Sequence, residues 1–443
     1  MSNIDRFIEI FKDKKILILG FGREGKSSYS FLKRLNFGNI DISDGNKIDP
    51  PNDFNGELFS GESYQEVINN YDIVLKSPGV KLDKKFHNSQ NISSQVDIFL
   101  SVFKKQVIGA TGTKGKSTTS SMIYHVLSNI TGNSILAGNI GVPVFDIIDK
   151  IDDKTHIVLE LSCHQLQFIK NNPHISIITN IYPEHLDYYE NLEAYKQTKF
   201  NIYKYQSDED YIIFPKGFVT EKTESFKIEY DLIKVKRQYL VSNSFENFDM
   251  KGNLLSIFGE HNYYNAANCL LAVRVLGYDT KEASKYLNSF KGLEHRLEYV
   301  GCYSGIHFVN DSISTIPETS IMAIKSFSGK VDTIILGGMI RDENVDYSEL
   351  CRTMKDEKVK KIIFLPESGK LIVKYLLQDL FKVDIYNAKN LDDAIYIAFK
   401  ETRKGKYCLL SPAAASYNTF KNFEERGRIF KELVSSWENR IIL

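Results

Sequence analysis

One stretch of the sequence, from Val107 to Ser121, constrains the fold more than any other. Its letters, VIGATGTKGKSTTSS, give an apolar segment typical of a buried strand, a glycine-containing turn, and a helical segment that begins near Lys116. Glycines at such a turn let backbone N–H groups face an anion, and the following helix adds the positive end of its dipole. The lysine can reach the β and γ phosphates of a nucleotide, and the hydroxyl of Ser117 can bind the accompanying Mg²⁺. The stretch therefore predicts an ATP site in an α/β domain.

The pattern differs at one position from the strict phosphate-binding motif. That motif, G-x-x-x-x-G-K-[ST], requires glycine where this chain has Ala110, and the nearest glycine, Gly109, comes one residue too early. A plain strand, turn and helix with a surface lysine is the alternative interpretation. The residues that we expect to contact ATP in this stretch are Gly112, Thr113, Lys114, Gly115, Lys116, Ser117 and Thr118.

The composition indicates a soluble protein with several domains. A chain of 443 residues is too long for one hydrophobic core and suits two to four domains. Lys plus Arg and Asp plus Glu number 56 each, so no basic excess favours binding of nucleic acid. The N-terminus does not read as a signal peptide, no apolar run is long enough for a membrane span, and the five cysteines are scattered. We therefore expect a cytoplasmic protein.

A second glycine turn lies near the N-terminus. The apolar run KKILILG at 14–20 leads into G-F-G-R-E-G at 20–25, and a helical pattern follows. Strand patterns at 39–43, which precedes Asp44, and at 72–80 complete the beginning of a doubly wound parallel sheet. From these residues alone the turn fits a nucleotide diphosphate, a nicotinamide cofactor or a plain tight turn.

The alternation of strands and helices restarts twice, which predicts three α/β domains. We predict a Rossmann-like domain at 1–94, a central P-loop ATPase-like domain at 95–296 and a C-terminal Rossmann-like domain at 297–443. Residues 208–258 are strand-like but fit no clear place in the central domain. The remaining strands are predicted at 106–111, 156–161, 175–181, 306–310, 331–338, 360–366, 383–387 and 407–412, and the helices begin at 116, 192, 259 and 423.

Polar residues follow two of the central strands at the positions where open α/β sheets bind ligands. Glu160 ends an apolar strand, and Asn180, Glu184, His185 and Asp187 follow the next one. Carboxylate and imidazole groups near a phosphate-binding turn suit a Mg²⁺ cluster. The alternatives are an acid on an edge strand and an ordinary loop histidine.

Several longer segments resemble one family. They are TGTKGKST at 111–118, GNIG at 138–141, ELSCHQL at 160–166, TNIYPEHLDYY at 179–189, AYKQTKFNIY at 194–203 and GEHNYYNAANCL at 259–270. Together they resemble the Mur ligase superfamily, the ATP-dependent amide-forming ligases of peptidoglycan synthesis. That family has TGTxGK[ST] in place of the strict motif, which accounts for Ala110.

Further segments resemble one branch of that family, which joins D-glutamate to UDP-N-acetylmuramoyl-L-alanine. They are SPGV at 77–80, GLEHRLE at 292–298, VNDSIST at 309–315, ILGGMIRD at 335–342 and LSPAAASYNTFKNFEERGRIF at 410–430. The resemblance implies that ATP phosphorylates the alanine carboxylate and that the amine of glutamate attacks the acyl phosphate. It also implies ATP and Mg²⁺ as cofactors, these two small-molecule substrates as partners, and a monomer.

The resemblance assigns roles to individual residues. The implied catalytic residues are Lys116, Glu160, His185 and Lys199, and the implied metal ligands are Ser117, Glu160, His185 and a carbamylated Lys199. The residues implied to contact ATP outside the glycine turn are Asn265, Arg296 and Asp311. The residues implied to bind the UDP-linked substrate are Gly20, Gly22, Gly25, Asp44, Ser77 and Asn139, and those around the amino acid are Thr315, Arg341, Ser416 and Phe423.

The sequence departs from the family pattern near the amino-acid end. Ile313 stands where the family has lysine, Ile316 and Pro317 follow in place of the usual asparagine, and Tyr417 lies beside Ser416. A paralogous ligase with another amino-acid acceptor therefore stays open.

Three other classes of protein share part of the pattern. A folylpolyglutamate synthase-like ligase shares only the central segments, and a nicotinamide dehydrogenase would leave TGTKGKS unused. A non-catalytic nucleotide-binding protein would be expected to lack some of Lys116, Glu160, His185 and Lys199, and all four are present.

Overall fold

The computed structural model describes residues 2–184, 188–218, 222–232, 239–242, 248–249, 257, 259, 261–340, 345–378 and 382–442. The strands in this part of the chain form three separate sheets, which confirms the predicted α/β architecture. The chain divides into two compact units, one of residues 1–253 and 263–287 and one of residues 254–262 and 288–443. The first two sheets belong to the first unit, and the boundaries of three separate domains remain a prediction. None of the described helices combines the length and apolar character that a membrane span requires.

The N-terminal block builds a parallel sheet. Its elements are α1 (Asn3–Phe11), β1 (Ile16–Leu19), α2 (Arg23–Arg34), β2 (Ile40–Asp44), β3 (Leu58–Ser60), β4 (Ile73–Lys76) and β5 (Ile92–Ser93). The strand order is β3-β2-β1-β4-β5, which is that of a Rossmann-like sheet. All four residues of β1 are buried, as expected for a central strand covered on both faces. Helix α1 was not predicted from the sequence. Ser2 and Asp5 cap its N-terminus, and it buries Phe7 and Phe11.

The central block builds a sheet with eight described strands, more than either of the other sheets has. Its elements are α3 (Gln95–Phe103), β6 (Val107–Thr111), α4 (Lys116–Thr131), β7 (Ser134–Gly138), β8 (His156–Glu160), α5 (Cys163–Leu166), β9 (Ile175–Ile178), α6 (Leu192–Phe200), β10 (Tyr211–Pro215), β11 (Phe226–Leu232), β12 (Tyr239–Ser242), β13 (Phe248–Asp249), α7 (His261–Val275) and α8 (Thr280–Leu287). Strand β6 lies between β9 and β8, with which it pairs in parallel. The unassigned residues 208–258 contribute β10 to β13, which extend the sheet at one edge. The position of β6 places the glycine turn at the carboxyl ends of adjacent parallel strands.

The C-terminal block builds the third sheet. Its elements are β14 (Glu298–Tyr303), β15 (Ile306–Asn310), α9 (Pro317–Lys325), β16 (Val331–Gly338), α10 (Ser348–Asp356), β17 (Lys361–Glu367), α11 (Gly369–Gln378), β18 (Asp384–Asn387), α12 (Leu391–Glu401), β19 (Tyr407–Leu410) and α13 (Phe423–Ile442). The order is β14-β15-β19-β16-β17-β18, and β14 pairs antiparallel to β15 while the other pairs are parallel. Apolar clusters cover both faces, one with Leu336 and Leu350 and the other with Phe308 and Phe430.

Candidate active site

The glycine turn between β6 and α4 adopts a backbone that only glycine tolerates at two positions. Gly112 and Gly115 have φ angles of 148° and 86°. A Cβ atom on Gly112 would lie 2.0 Å from Thr179 Oγ1, and one on Gly115 would lie 2.5 Å from Asn265 Oδ1. Because both approaches are far below van der Waals contact, any side chain there would push the turn apart. The observed backbone is therefore compatible with the predicted phosphate-binding turn.

Two lysines converge on this turn. Lys116 Nζ donates to the carbonyl oxygens of Gly112 and Thr113, both at 2.9 Å. Lys199 Nζ, from helix α6, donates to the same oxygen of Gly112 at 2.8 Å. Burial lowers the pKa of Lys116, and burial together with the positive charge of Lys116 lowers the pKa of Lys199 to about 7. Lys199 is only 1% exposed, so it is not the solvated helix lysine that its local pattern would suggest.

Glu160 lies at the end of β8 with one oxygen bound and one free of protein partners. Its Oε1 accepts a hydrogen bond from Asn139 Nδ2 at 2.6 Å, whereas its buried Oε2 has no hydrogen-bond partner. The residue is 1% exposed, and its negative charge favours the protonated forms of Lys116 and Lys199. A buried carboxylate oxygen without a donor is costly, and a bound cation would satisfy it. The donor set at Glu160 therefore fits a metal ion.

The structure describes two of the other three implied metal ligands, Ser117 and Lys199. His185, together with the neighbouring Asp187, lies outside the described residues. Within the described part of the chain, no three His, Cys, Asp or Glu side chains lie close enough together to hold a metal. Ser117 lies in the first turn of α4, where it is half-buried. The Mg²⁺ site remains a prediction that Glu160 supports.

Residues after β9 hold the glycine turn in place. Asn180 Oδ1 accepts from the backbone N–H of Lys114 at 2.8 Å, and its Nδ2 donates to the carbonyl oxygen of Lys114 at 2.9 Å. Glu184 forms an ion pair with the Lys114 side chain at 2.6 Å. Asn180 and Glu184 thus both contact Lys114 and brace the turn.

Three further residues of the predicted ATP site, all buried, lie in the 112–118 stretch or against it. Asn265 on α7 is buried, and its Oδ1 accepts from Thr119 Oγ1 at 3.1 Å. Thr113 is also buried, and its backbone N–H donates to the carbonyl oxygen of Asn180 at 2.9 Å. Thr118, which follows Ser117 in α4, is 8% exposed. The structure therefore brings Asn265 to the turn across more than 140 residues of sequence.

A separate cavity of about 500 Å³ lies in the first unit. Five of the six residues implied to bind the UDP-linked substrate line it, namely Gly20, Gly22, Asp44, Ser77 and Asn139. Arg23 and Lys81 also line it, which gives the cavity two cations that were not predicted from the sequence. The arginine could have been noticed because it is the only cation among the three non-glycine residues of G-F-G-R-E-G.

Hydrogen bonds hold the first glycine turn in shape. Asp44 Oδ2 accepts from the N–H of Phe21 at 2.7 Å, and Ser77 Oγ donates to the carbonyl oxygen of Gly20 at 2.7 Å. Gly25 does not line the cavity. A Cβ atom on Gly25 would lie 2.1 Å from the oxygen of Gly20, so its observed role is close packing under the turn.

In the second unit, Asp311 lies just beyond β15 and is 3% exposed. It accepts hydrogen bonds from Ser314 Oγ at 2.5 Å, Ser411 Oγ at 2.7 Å and the N–H of Leu297 at 3.2 Å. Burial raises the pKa of Asp311 to about 6, against these hydrogen bonds and the charge of Arg296. Arg296 is exposed, and its neighbour Leu297 has a φ of 44°. The charge of Arg296 thus favours the ionised form of Asp311.

Arg426, on α13, binds two loops of the second unit and is not among the residues predicted from the sequence. It is 1% exposed, and it donates from Nε to Ser312 Oγ at 3.0 Å and from Nη2 to the carbonyl oxygen of Ser312 at 2.9 Å. Its Nη1 donates to the oxygen of Ala414 at 3.1 Å. Burial lowers the pKa of Arg426 to about 10. This side chain therefore joins the segments that carry Thr315 and Ser416.

The implied amino-acid residues themselves lie around these segments. Ser416 is buried, Thr315 is half-buried, and Phe423 begins α13 with its carbonyl oxygen accepting from Ser312 Oγ at 2.8 Å. Arg341 lies outside the described residues. An arginine in the first turn of a helix, such as Arg426 in α13, resembles a solvated residue in sequence, and only its place in the FEERGR segment could have marked it.

Comparison with known proteins identifies the family. The profile of the Mur ligase middle domain matches residues 110–273. A UDP-N-acetylmuramoylalanine--D-glutamate ligase from Acetivibrio thermocellus is 31% identical over 99% of this chain and 99% of its own.

Solved structures show the same fold. A UDP-N-acetylmuramate-alanine ligase from Thermotoga maritima has a TM-score of 0.56 at 20% identity, covering 96% of this chain and 99% of its own. A MurF ligase from the same organism, in complex with ADP, has a TM-score of 0.55 at 16% identity and covers 95% of each chain. On the sequence similarity along its whole length, this chain belongs to the Mur ligase family, among the UDP-N-acetylmuramoylalanine--D-glutamate ligases.

Proposed function

We propose that this protein joins D-glutamate to UDP-N-acetylmuramoyl-L-alanine at the expense of ATP, in the synthesis of peptidoglycan precursors. The observation that carries the proposal is the convergence of Lys116 and Lys199 on the oxygen of Gly112, within electrostatic reach of Glu160. The full-length relatives with this name support the choice of substrates over another acceptor. Ile313, which stands where the family has lysine, does not change the choice of D-glutamate as the acceptor.

The reaction proceeds in two steps. An oxygen of the alanine carboxylate bonds to the γ-phosphorus of ATP, and the bond from that phosphorus to the β–γ bridging oxygen breaks to release ADP. The glutamate amine then bonds to the acyl carbon, inorganic phosphate leaves, and the amine loses a proton. Lys116 stabilises the charge that develops on the transferring phosphoryl group. Phosphate oxygens are stronger acceptors than the two carbonyl oxygens that hold its ammonium here.

Mg²⁺ would be held by Ser117, Glu160, His185 and a carbamylated Lys199. When bound there it would neutralise negative charge on the phosphates. Carbamylation requires an unprotonated amine, and a pKa of about 7 supplies that form of Lys199 at physiological pH. The orphaned Oε2 of Glu160 supports this ligand set because it is an acceptor with no protein donor.

The three substrates occupy different parts of the chain in this proposal. ATP lies on the turn of residues 112–118 with Asn265, and the family resemblance assigns Arg296 and Asp311 to ATP as well. The cavity in the first unit takes the UDP-linked substrate, and its cations Arg23 and Lys81 suit a diphosphate. The amino acid is bound by Thr315, Arg341, Ser416 and Phe423. The protein acts as a cytoplasmic monomer, with no nucleic acid or membrane partner.

The test measures phosphate release and product mass with ATP, Mg²⁺, UDP-N-acetylmuramoyl-L-alanine and a panel of D- and L-amino acids. D-Glutamate should support turnover far better than the others. Lys116→Ala should lose at least about a hundredfold in kcat, because one cation that stabilises the transition state is removed. The control Lys105→Ala removes an exposed lysine that pairs with Glu209 and should leave the rate unchanged. Near-normal activity of Lys116→Ala, or a preference for a neutral amino acid, would contradict the assignment.

A further inference from the structure

Glu24 carries a buried carboxylate oxygen that the proposed chemistry does not use. It is the second residue of α2 and lines the cavity of the first unit. Its Oε1 accepts a hydrogen bond from Gln165 Nε2 at 2.6 Å, whereas its Oε2 is buried and has no hydrogen-bond partner. An acid in the first turn of a helix is ordinarily a solvated complement to the helix dipole. Burial and a bound neighbour distinguish Glu24 from that case.

The charges around Glu24 do not satisfy this oxygen. Arg23 and Lys76 favour its ionised form, yet burial raises the pKa of Glu24 in spite of them. Lys76 is itself buried and directs its Nζ to the carbonyl oxygen of Ser77 at 3.2 Å. An unmatched acceptor that lines a ligand cavity costs free energy in the free protein, and a ligand donor would recover it.

Hydrogen bonds connect Glu24, through Gln165, to the segment that follows Glu160. Glu24 therefore lies on the side of the cavity nearest to Glu160. Gln165 Oε1 accepts from the N–H of Ser162 at 3.0 Å, in the segment that follows Glu160. Asn139, on the same cavity, bonds directly to Glu160. The reacting carboxylate must come close to Glu160 and Lys116, so this side meets the part of the substrate between its diphosphate and that carboxylate.

We propose that Glu24 Oε2 accepts a hydrogen bond from an uncharged donor in the sugar and alanine part of the UDP-linked substrate, a hydroxyl or an amide N–H. The inference rests on the proposed function of the cavity and makes Glu24 a specificity-determining residue. A carboxylate repels phosphate, and the diphosphate already has Arg23 and Lys81. A neutral donor satisfies the free oxygen without that repulsion.

Glu24→Gln tests the polarity of this contact with almost no change of shape. The orientation of Gln165 is fixed because its Oε1 accepts from Ser162, so its Nε2 continues to point at position 24. The new side chain must therefore present its oxygen to Gln165 and its NH₂ group where Oε2 was. An acceptor becomes a donor, and the substrate donor then meets another donor.

Calorimetric titration of three ligands locates the contact. UDP, UDP-N-acetylmuramic acid and UDP-N-acetylmuramoyl-L-alanine are each titrated into wild type, Glu24→Gln and Glu24→Ala. We expect unchanged affinity for UDP and at least about tenfold weaker binding of the complete substrate in both variants. A loss shared by UDP-N-acetylmuramic acid places the donor on the sugar, and a loss confined to the complete substrate places it on the alanine amide.

The control and the contradicting results are equally specific. Glu193→Gln changes an exposed glutamate in the first turn of α6 that also accepts from a glutamine Nε2, at 2.8 Å, and it should bind all three ligands as wild type does. Unchanged or tighter binding of the complete substrate by Glu24→Gln would overturn the inference while leaving the proposed function intact. Equal weakening for UDP would also overturn it. A wild type that binds none of the ligands would reject the assignment of the cavity itself.

Discussion

Lys116 Nζ and Lys199 Nζ donate to one and the same carbonyl oxygen, that of Gly112, at distances of 2.9 and 2.8 Å. The two residues come from different helices, and the ammonium groups of both are largely buried. Two ammonium groups on one acceptor repel each other, and this repulsion contributes to the lowered pKa of Lys199. Such an arrangement favours anions: phosphate oxygens for one lysine and conversion of the other into a carbamate.

We predict that ligase activity requires Lys199 in its carbamylated, negatively charged form. Lys199→Ala should lose at least about a hundredfold in ligase activity, and Lys199→Arg should not restore it, because arginine keeps a positive charge. Enzyme depleted of CO₂ should regain activity when bicarbonate is added. The rate of phosphate release before and after addition is the measurement.

The matched control for this prediction is Lys196→Arg, which changes an ion-paired lysine one turn earlier on the same helix. It should keep normal activity and the same response to bicarbonate. An arginine variant at position 199 with full activity would refute the carbamate.

We predict that the ionised Asp311 side chain lowers the unfolding free energy of the protein but is needed for efficient catalysis with ATP. Its folded pKa of about 6 lies above the ordinary value of 3.8, so folding takes up a proton between those pH values and stability falls as pH rises through them. Asp311→Asn should therefore gain up to about 3 kcal/mol of unfolding free energy above pH 6, and none below about pH 4. The catalytic efficiency with ATP should nevertheless fall at least about tenfold. Urea unfolding at pH 8 and pH 4 measures the first effect.

Asp332 provides a control of opposite sign. It is buried, but hydrogen bonds from Arg403 and Lys361 outweigh burial and lower its pKa. Asp332→Asn should lose stability at pH 8, and the loss should shrink as pH falls below about 4. If Asp311→Asn is less stable than wild type at pH 8, the account of Asp311 is wrong.

We predict that Arg426 affects the KM for D-glutamate more than the KM for the UDP-linked substrate. Arg426→Lys leaves carbonyl oxygens of Ser312 or Ala414 without a donor, because one ammonium cannot reproduce the planar fork. We expect a loss of about 2–4 kcal/mol in unfolding free energy. The KM for D-glutamate should rise at least about tenfold while that for the UDP-linked substrate changes little.

Arg428→Lys is the control for Arg426, since it changes an exposed arginine of the same helix that pairs with Glu432. It should alter neither stability nor KM. A lower apparent kcat of Arg426→Lys with all KM values unchanged would point to a general loss of folded enzyme instead, and equal increases in the KM of all three substrates would contradict a role specific to the amino acid.

The sequence predicted those features that depend on local pattern. The apolar run at 331–338 coincides with β16, whose eight residues are all buried, and the turn at Gly112 and Gly115 has the predicted strand and helix on either side. Short strands near a sheet margin, such as β12 and β13, carry weaker patterns, because sequence spacing does not reveal which strands they pair with.

Long-range burial could not be predicted from the residues themselves. Lys199 and Arg426 are long cations in helices, and such residues are mostly solvated. Family resemblance identified Lys199 but not Arg426, whose partners lie 114 and 12 residues away along the chain. The brace that Asn180 forms on Lys114 was likewise invisible, since strand-end polar residues can serve either a ligand or a loop.

The most direct test of the central claim follows an oxygen atom. UDP-N-acetylmuramoyl-L-alanine labelled with ¹⁸O in both carboxylate oxygens is turned over with ATP, Mg²⁺ and D-glutamate, and the inorganic phosphate is analysed by mass spectrometry. Because the carboxylate oxygen that attacks phosphorus leaves with it, the account predicts one ¹⁸O in each phosphate released. Phosphate without ¹⁸O, formed together with the amide product, would contradict activation of the carboxylate at the site of Lys116, Glu160 and Lys199.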